Sequence, residues 1–127
     1  MRAATPDRKH RSPGACAMGN IYRFIEPALL MMLHENGPSY GYQLGEGISA
    51  YGLSDSQVDR SALYRTLRTL EENGFVRSKW ETENTGPARR VYSLTKPGRE
   101  HLGEWGLLME RLGAALVGFS QRVGATL

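Results

Sequence analysis

Cysteine is nearly absent from this chain. Cys16 stands alone in 127 residues, so no disulfide can close within the chain, and the cytoplasm is the expected compartment. Long apolar runs are missing too. The richest, Ala28 to Leu33, is far short of the roughly 20 residues that a membrane-spanning helix needs. The N-terminus is charged and carries no apolar signal region, so neither export nor a membrane partner is expected. The three histidines, His10, His34 and His101, show no metal-ligand spacing with one another or with Cys16; no metal and no cofactor are expected. Gly-rich phosphate loop, nucleophile elbow and triad spacing are all lacking, so the chain does not read as an enzyme.

Bulk basicity is also scarcer than it looks. The net charge is +3 and the pI about 9.2, but residues 1–19 hold four basic side chains against one acidic. Residues 20–94 hold eight against nine, and the remainder from Thr95 four against three. The excess therefore sits in the N-terminal arm, and any attraction to nucleic acid must come from local clustering.

What is present is order along the chain. Residues 1–19 mix Arg, Pro, Gly, Ala and Ser without periodicity and read as a flexible basic arm. From Ile21, the set Ile25, Leu29, Met32 and Leu33 recurs at helical spacing until Asn36-Gly37-Pro38 stops it. Ser39 can cap a second helix over Tyr40 to about Tyr51, with Leu44 and Ile48 inward. Gly41, Gly45 and Gly47 weaken that helix, which predicts close approach of another backbone. Gly52 to Asp59 is a polar connection. A third helix spans about Arg60 to Asn73 on the buried stripe Leu63, Leu67 and Leu70, with Gly74 just beyond its end. Phe75 to about Glu83 alternates as a strand, Val91 to Leu94 is its partner, and Thr82 to Pro87 is the turn between them. Three helices followed by a two-stranded ribbon make a mainly α fold with a small β wing, the winged helix-turn-helix layout.

A long helix from Thr95 to about Val123 closes the chain, with Pro97 tolerated in its first turn. Leu102, Trp105, Met109, Leu112, Leu116, Phe119 and Val123 alternate in steps of three and four, the pattern of a coiled-coil seam. The expected use is pairing with the same helix of a second chain. The domain reading is thus an arm (1–19), a winged-helix domain (20–94) and a dimerisation helix (95–127).

The chemistry sits on the third helix and the wing. Opposite the leucine stripe lie Ser61, Arg65, Arg68 and Glu72, with Tyr64 on the flank. Small and basic groups in the first turns, with Glu71 and Glu72 at the far end, suit insertion of the N-terminal half into a DNA major groove. Gly86-Pro87-Ala88-Arg89-Arg90 reads as a turn carrying two guanidiniums at a hairpin tip, able to lie along a phosphate backbone. A plain solvated face, with Arg68 paired to Glu72, is the competing reading. Arg60, Arg65, Arg68, Lys79, Arg89 and Arg90 falling in one helix-plus-hairpin unit favours DNA.

Ser39-Tyr40-Gly41-Tyr42-Gln43-Leu44, then Ser61-Ala62-Leu63-Tyr64-Arg65 with Leu67, Leu70, Glu71 and Gly74, then Gly86 to Arg90 with Tyr92, Leu94, Thr95 and Gly98, resembles the PadR family of bacterial transcriptional regulators. The match runs from about Ile21 onward and looks like the branch with a single C-terminal helix. The resemblance implies a winged-helix domain, a homodimer built on the last helix, and repression from palindromic operators in double-stranded DNA. It implies DNA contact by Tyr40, Tyr64 and Arg65, and wing contact by Arg89 and Arg90. Tyr42 has two readings, packing on the third helix or reaching a phosphate with its hydroxyl, the first being expected; Tyr92 and Leu94 are expected to be strand core. Multidrug-sensing relatives sandwich flat aromatic compounds between paired tryptophans at the dimer centre. On that pattern Trp105, with Phe24, Met31 and Met109, would line a site for a small aromatic effector; Trp105 as plain dimer core is the competing reading. The rival for the chain as a whole is a winged helix that docks proteins without specific DNA binding.

Overall fold

The computed structural model describes residues 24–51, 59–82 and 86–127. The N-terminal arm with His10 and Cys16, most of the Gly52–Asp59 connection and the middle of the Thr82–Pro87 turn lie outside the described residues.

Helix α1 (Ile25–Asn36) is apolar on most of its circumference, with Ile25, Pro27, Ala28, Leu29, Leu30, Met32 and Leu33 all buried. A helix apolar on so many sides can only sit at the centre of a fold, and α1 does. It stops where Gly37 takes φ 76°, a left-handed conformation that leaves the Gly37 N–H free to donate to the Leu33 carbonyl at 3.0 Å.

The chain then departs from the sequence reading. Ser39–Tyr40 is a short strand, β1, rather than the start of a helix. Pro38 cannot continue the helix, and β1 pairs antiparallel with a later strand, Ser39 opposite Tyr92 and Tyr40 opposite Val91. Ser39 does not cap a helix: its hydroxyl donates to the Gly37 carbonyl at 2.9 Å. Helix α2 is accordingly short (Gly41–Gly47), begun by the Tyr40 N–H donating to Gln43 Oε1 at 2.8 Å, and it gives way to a 3-10 turn over Ile48–Tyr51. Its glycines do admit close neighbours, but these are side chains and not backbone. A Cβ at Gly41 would lie 2.7 Å from Tyr64 Cε1, and one at Gly45 3.1 Å from Leu63 Cδ2.

Helix α3 (Arg60–Glu72) starts at Asp59, whose carboxylate accepts from the Ala62 N–H at 3.2 Å. Its leucine stripe is fully engaged: Leu63, Leu67 and Leu70 are 3%, 0% and 0% exposed. Strands β2 (Val76–Glu81) and β3 (Arg89–Leu94) follow, and the sheet has three strands in the order β1-β3-β2 rather than two. β3 also begins two residues earlier than its apolar pattern indicated. Arg89 pairs with Glu81 and Arg90 with Trp80, so both arginines lie within the ribbon and not at its tip. Charged side chains conceal a strand from an alternation test, because only the backbone pairing reveals it.

Helix α4 (Lys96–Thr126) is capped by Thr95, whose Oγ1 accepts from the Gly98 N–H at 3.0 Å. Gly98 is the one buried residue of α4. A Cβ there would collide with the Phe75 carbonyl oxygen, so glycine is what lets α4 seat against the end of α3. The core joins α1, α2, α3, Val76 and Tyr92, with Phe75, Leu94, Leu102 and Trp105 packed against it. Tyr92 and Leu94 thus serve the core as expected, and burial pushes the Tyr92 phenol above its usual range.

Candidate nucleic-acid interface

Burying Leu63, Leu67 and Leu70 forces the opposite side of α3 into solvent. Ser61, Arg65 and Arg68 are exposed there, and Tyr64 is half-buried on the flank. Its position follows from Gly41, which has no side chain where the Tyr64 ring lies. Tyr64 is the meeting point of three open recesses. One of about 400 Å³ runs along α3 past Arg60, Ser61, Arg65 and Arg68. One of about 490 Å³ lies towards α2 by Tyr42, Gly45 and Asp59. The third, about 350 Å³, reaches the wing past Tyr40, Tyr42, Trp80, Arg89 and Arg90. The α3 face and the wing are therefore one continuous surface.

On the wing the two arginines differ. The Arg89 guanidinium sits 4.6 Å from the centre of the Tyr40 ring and is otherwise exposed. Arg90 is held more tightly: its Nε donates to Ser78 Oγ at 2.8 Å, a terminal nitrogen lies 3.9 Å from Glu71 Oε1, and its guanidinium covers Trp80 at 5.3 Å. Ser78 in turn donates to Glu71 through both its backbone N–H at 3.1 Å and its hydroxyl at 2.8 Å. The Tyr40 hydroxyl donates to Glu81. That bond to a carboxylate holds the Tyr40 phenol above its usual range, with smaller contributions from burial and from the Glu81 charge. Tyr40 therefore presents a ring and the position of Arg89, its hydroxyl being already engaged.

Tyr42 departs from the first of its two expected roles. It is exposed at 45% and stacks on Tyr40, ring centres 6.0 Å apart and 8° from parallel, while its neighbour Gly41 meets Tyr64 of α3. Trp80, Ser78 and Glu81 were not singled out in the sequence, and Glu71 was read only as the acidic end of the third helix and as part of a motif. An aromatic among exposed strand positions was the available signal for Trp80. Glu81 gave none, because its partner Tyr40 lies across the sheet, and Glu71 none for its bond to Ser78, which joins a helix to the strand after it.

The α4 residues divide. Leu102 and Trp105 are partly buried and pack on the core of their own chain. Trp105 Nε1 donates to Glu26 Oε1 at 2.5 Å, and the same oxygen lies 2.9 Å from His101 Nε2. Phe24 meets Trp105 edge-on at 6.4 Å. Met31 and Met109 share a different recess, about 280 Å³, with Pro27, Ala28, Tyr51, Leu102 and Gly106. The four residues expected to line one effector site thus fall into two places within the chain. Beyond Met109, Leu112, Leu116, Phe119 and Val123 are exposed at 41%, 58%, 65% and 39%.

Comparison with known proteins places these features. Residues 29–104 match the family described as "Transcriptional regulator PadR-like family". A protein of Mycobacterium tuberculosis named Probable transcriptional regulator Rv1176c is 31% identical over 78 residues, 61% of this chain and 41% of that one; the chain therefore spans about two fifths of that relative's length. A Streptococcus transcriptional regulator of known structure superposes with a TM-score of 0.63 at 27% identity, covering 76% of this chain and 92% of its own. Bacillus subtilis PadR, solved in complex with operator DNA, shares the fold at TM-score 0.57 and 24% identity, over 65% of this chain and 47% of its own.

Proposed function

The chain belongs to the PadR-like family of transcriptional regulators, and from that premise we propose that it binds double-stranded DNA at a specific operator and represses transcription there. One observation carries the reading. The exposed side of α3 presents Ser61, Tyr64, Arg65 and Arg68 without interruption into the wing arginines. A helix of that composition fits the major groove, where arginine can bond guanine edges in pairs, while Arg89 on the neighbouring strand holds phosphate. The Glu71 and Glu72 end points away from the inserting turn, which sets the direction of entry.

The exposed apolar positions Leu112, Leu116 and Phe119 support a homodimer formed through α4. Two-fold symmetry would then make the operator a palindrome with half-sites set by the α4 crossing. Met31 and Met109 line an apolar recess at the root of α4. A small aromatic effector held there would change that crossing and release DNA. No helix among the described residues is long and apolar enough to cross a membrane, which fits a protein working on cytoplasmic DNA. Nothing in this reading calls for catalysis.

Selection of bound duplexes from a random pool tests it directly. The expected result is a palindromic consensus bound far more tightly than random duplex, with Arg65→Ala weakening and relaxing recognition by a factor of about 10 to 100. Failure to retain any duplex at low salt would favour the protein-docking reading instead.

A further inference from the structure

Trp80 stands out on the wing. It is 58% exposed in the interior of β2, in register with Arg90. An indole left in water this way gains nothing for folding, yet it is not left loose. The Arg90 guanidinium lies over its face at 5.3 Å, and Arg90 is itself pinned by Ser78 at 2.8 Å and by Glu71. Two carboxylates of this region are engaged by hydroxyl donors, Glu71 by Ser78 and Glu81 by Tyr40. The cation on the ring itself is Arg90; Arg89, one residue along β3, lies over Tyr40, and Lys79, one residue along β2, takes the opposite side of its strand.

An apolar protein surface would find those charges costly to bury. A surface that alternates phosphate with flat, weakly polar sugar faces would match both. The recess that Trp80 lines also includes Tyr64, so DNA lying on α3 passes this ring.

We propose that Trp80 is a DNA-contacting residue of the wing, its ring laid against deoxyribose and its indole N–H directed at a phosphate oxygen. Arg90 acts here mainly as a positioning residue for the ring. Holding the indole in place before binding removes part of the ordering cost of contact, which is where a two-torsion aromatic has its advantage. The inference rests on the DNA-binding reading above, and its test separates the two.

The protein is labelled with 5-fluorotryptophan, and its two 19F resonances are assigned by the one lost in Trp80→Phe, with Trp105 untouched. Sheared duplex DNA is titrated at low salt while anisotropy of a labelled duplex reports binding independently. The expected result is a shift and broadening of the Trp80 signal that tracks saturation. Trp80→Ala should weaken binding by roughly tenfold with the same dependence on salt, because no charge is lost. Arg89→Ala should instead lower the slope of log K against log salt by about one. Saturation of the anisotropy with the Trp80 resonance unmoved overturns the Trp80 contact and leaves DNA binding standing. Absence of any anisotropy change overturns both. A Trp80 shift that follows protein concentration without DNA would assign the ring to contact between copies and overturn the proposal too.

Discussion

Two stretches of this molecule carry nearly the same apolar rhythm and meet opposite fates. On α3, Leu63, Leu67 and Leu70 repeat at steps of four and three and are sealed to 3% exposure or less. On α4, Leu112, Leu116 and Phe119 repeat at steps of four and three and stand 41% to 65% exposed. The rhythm is a property of the helix; the cover is a property of what lies opposite. α3 has α1 and the sheet against it. Among the described residues, α4 has its own chain only at its root, where Gly98, Leu102 and Trp105 seat it and Glu26 bonds both His101 and the Trp105 indole. Its far half is the same kind of surface left exposed, the observation on which the proposed interface between copies rests.

The sharpest way to break this comparison is to damage the two stripes alike. Leu67→Ala removes a fully buried side chain and should cost about 2–5 kcal/mol of stability. The same truncation at Leu116 should leave the stability of the winged domain within about 0.5 kcal/mol. Chemical denaturation of each variant at a protein concentration too low for association checks this, and equal losses would undo the distinction. Next in size is Leu112→Glu. A carboxylate inside the proposed seam should raise the dimer dissociation constant by at least about tenfold while the circular dichroism of the monomer is unchanged. Sedimentation equilibrium that still reports the wild-type dimer would remove α4 beyond Met109 from the interface.

The smallest effect concerns the root of the fold. Burial, then the hydrogen bond to Glu35 at 2.7 Å, pushes the Tyr51 phenol up to about 12. The folded state thus favours the neutral phenol. Its contribution is fully present below pH 10, where the unfolded tyrosine begins to ionise, and is lost as pH rises from 10 to 12. Tyr51→Phe should lower stability slightly at neutral pH and flatten the decline across that alkaline window, measured as unfolding midpoint against pH. A decline as steep as wild type would show that Tyr51 does not contribute to it.

Much of the fold was legible before any coordinates. The body of α1, α3, the strand core at Tyr92 and Leu94, and the start of the last helix at Thr95 were all readable, and so was the set of α3 side chains facing solvent. The exposed side chains of the proposed interface were legible on α3, and their placement only half legible on the wing. Arg89 and Arg90 were visible as charges, but their place inside β3 was not, because charged residues break the alternation that marks a strand. A two-residue strand such as β1 has no period at all. It exists because β3 offers Tyr92 and Val91 as partners.

The sequence by itself determined which faces α1 and α3 turn inward, where α3 starts and where both stop. Those properties depend on neighbours within a turn: the 3.6-residue period, a capping oxygen, a glycine able to take positive φ at Gly37 and Gly74. Tertiary structure decided everything that joins distant positions. Tyr40 bonds Glu81 across 41 residues, and Glu26 bonds His101 and Trp105 across 75 and 79. Trp80 becomes a candidate contact only because the β2–β3 register lays Arg90 beside it. Contacts of that kind leave no periodic trace along the chain, since the geometry creating them arises only when separate elements pack.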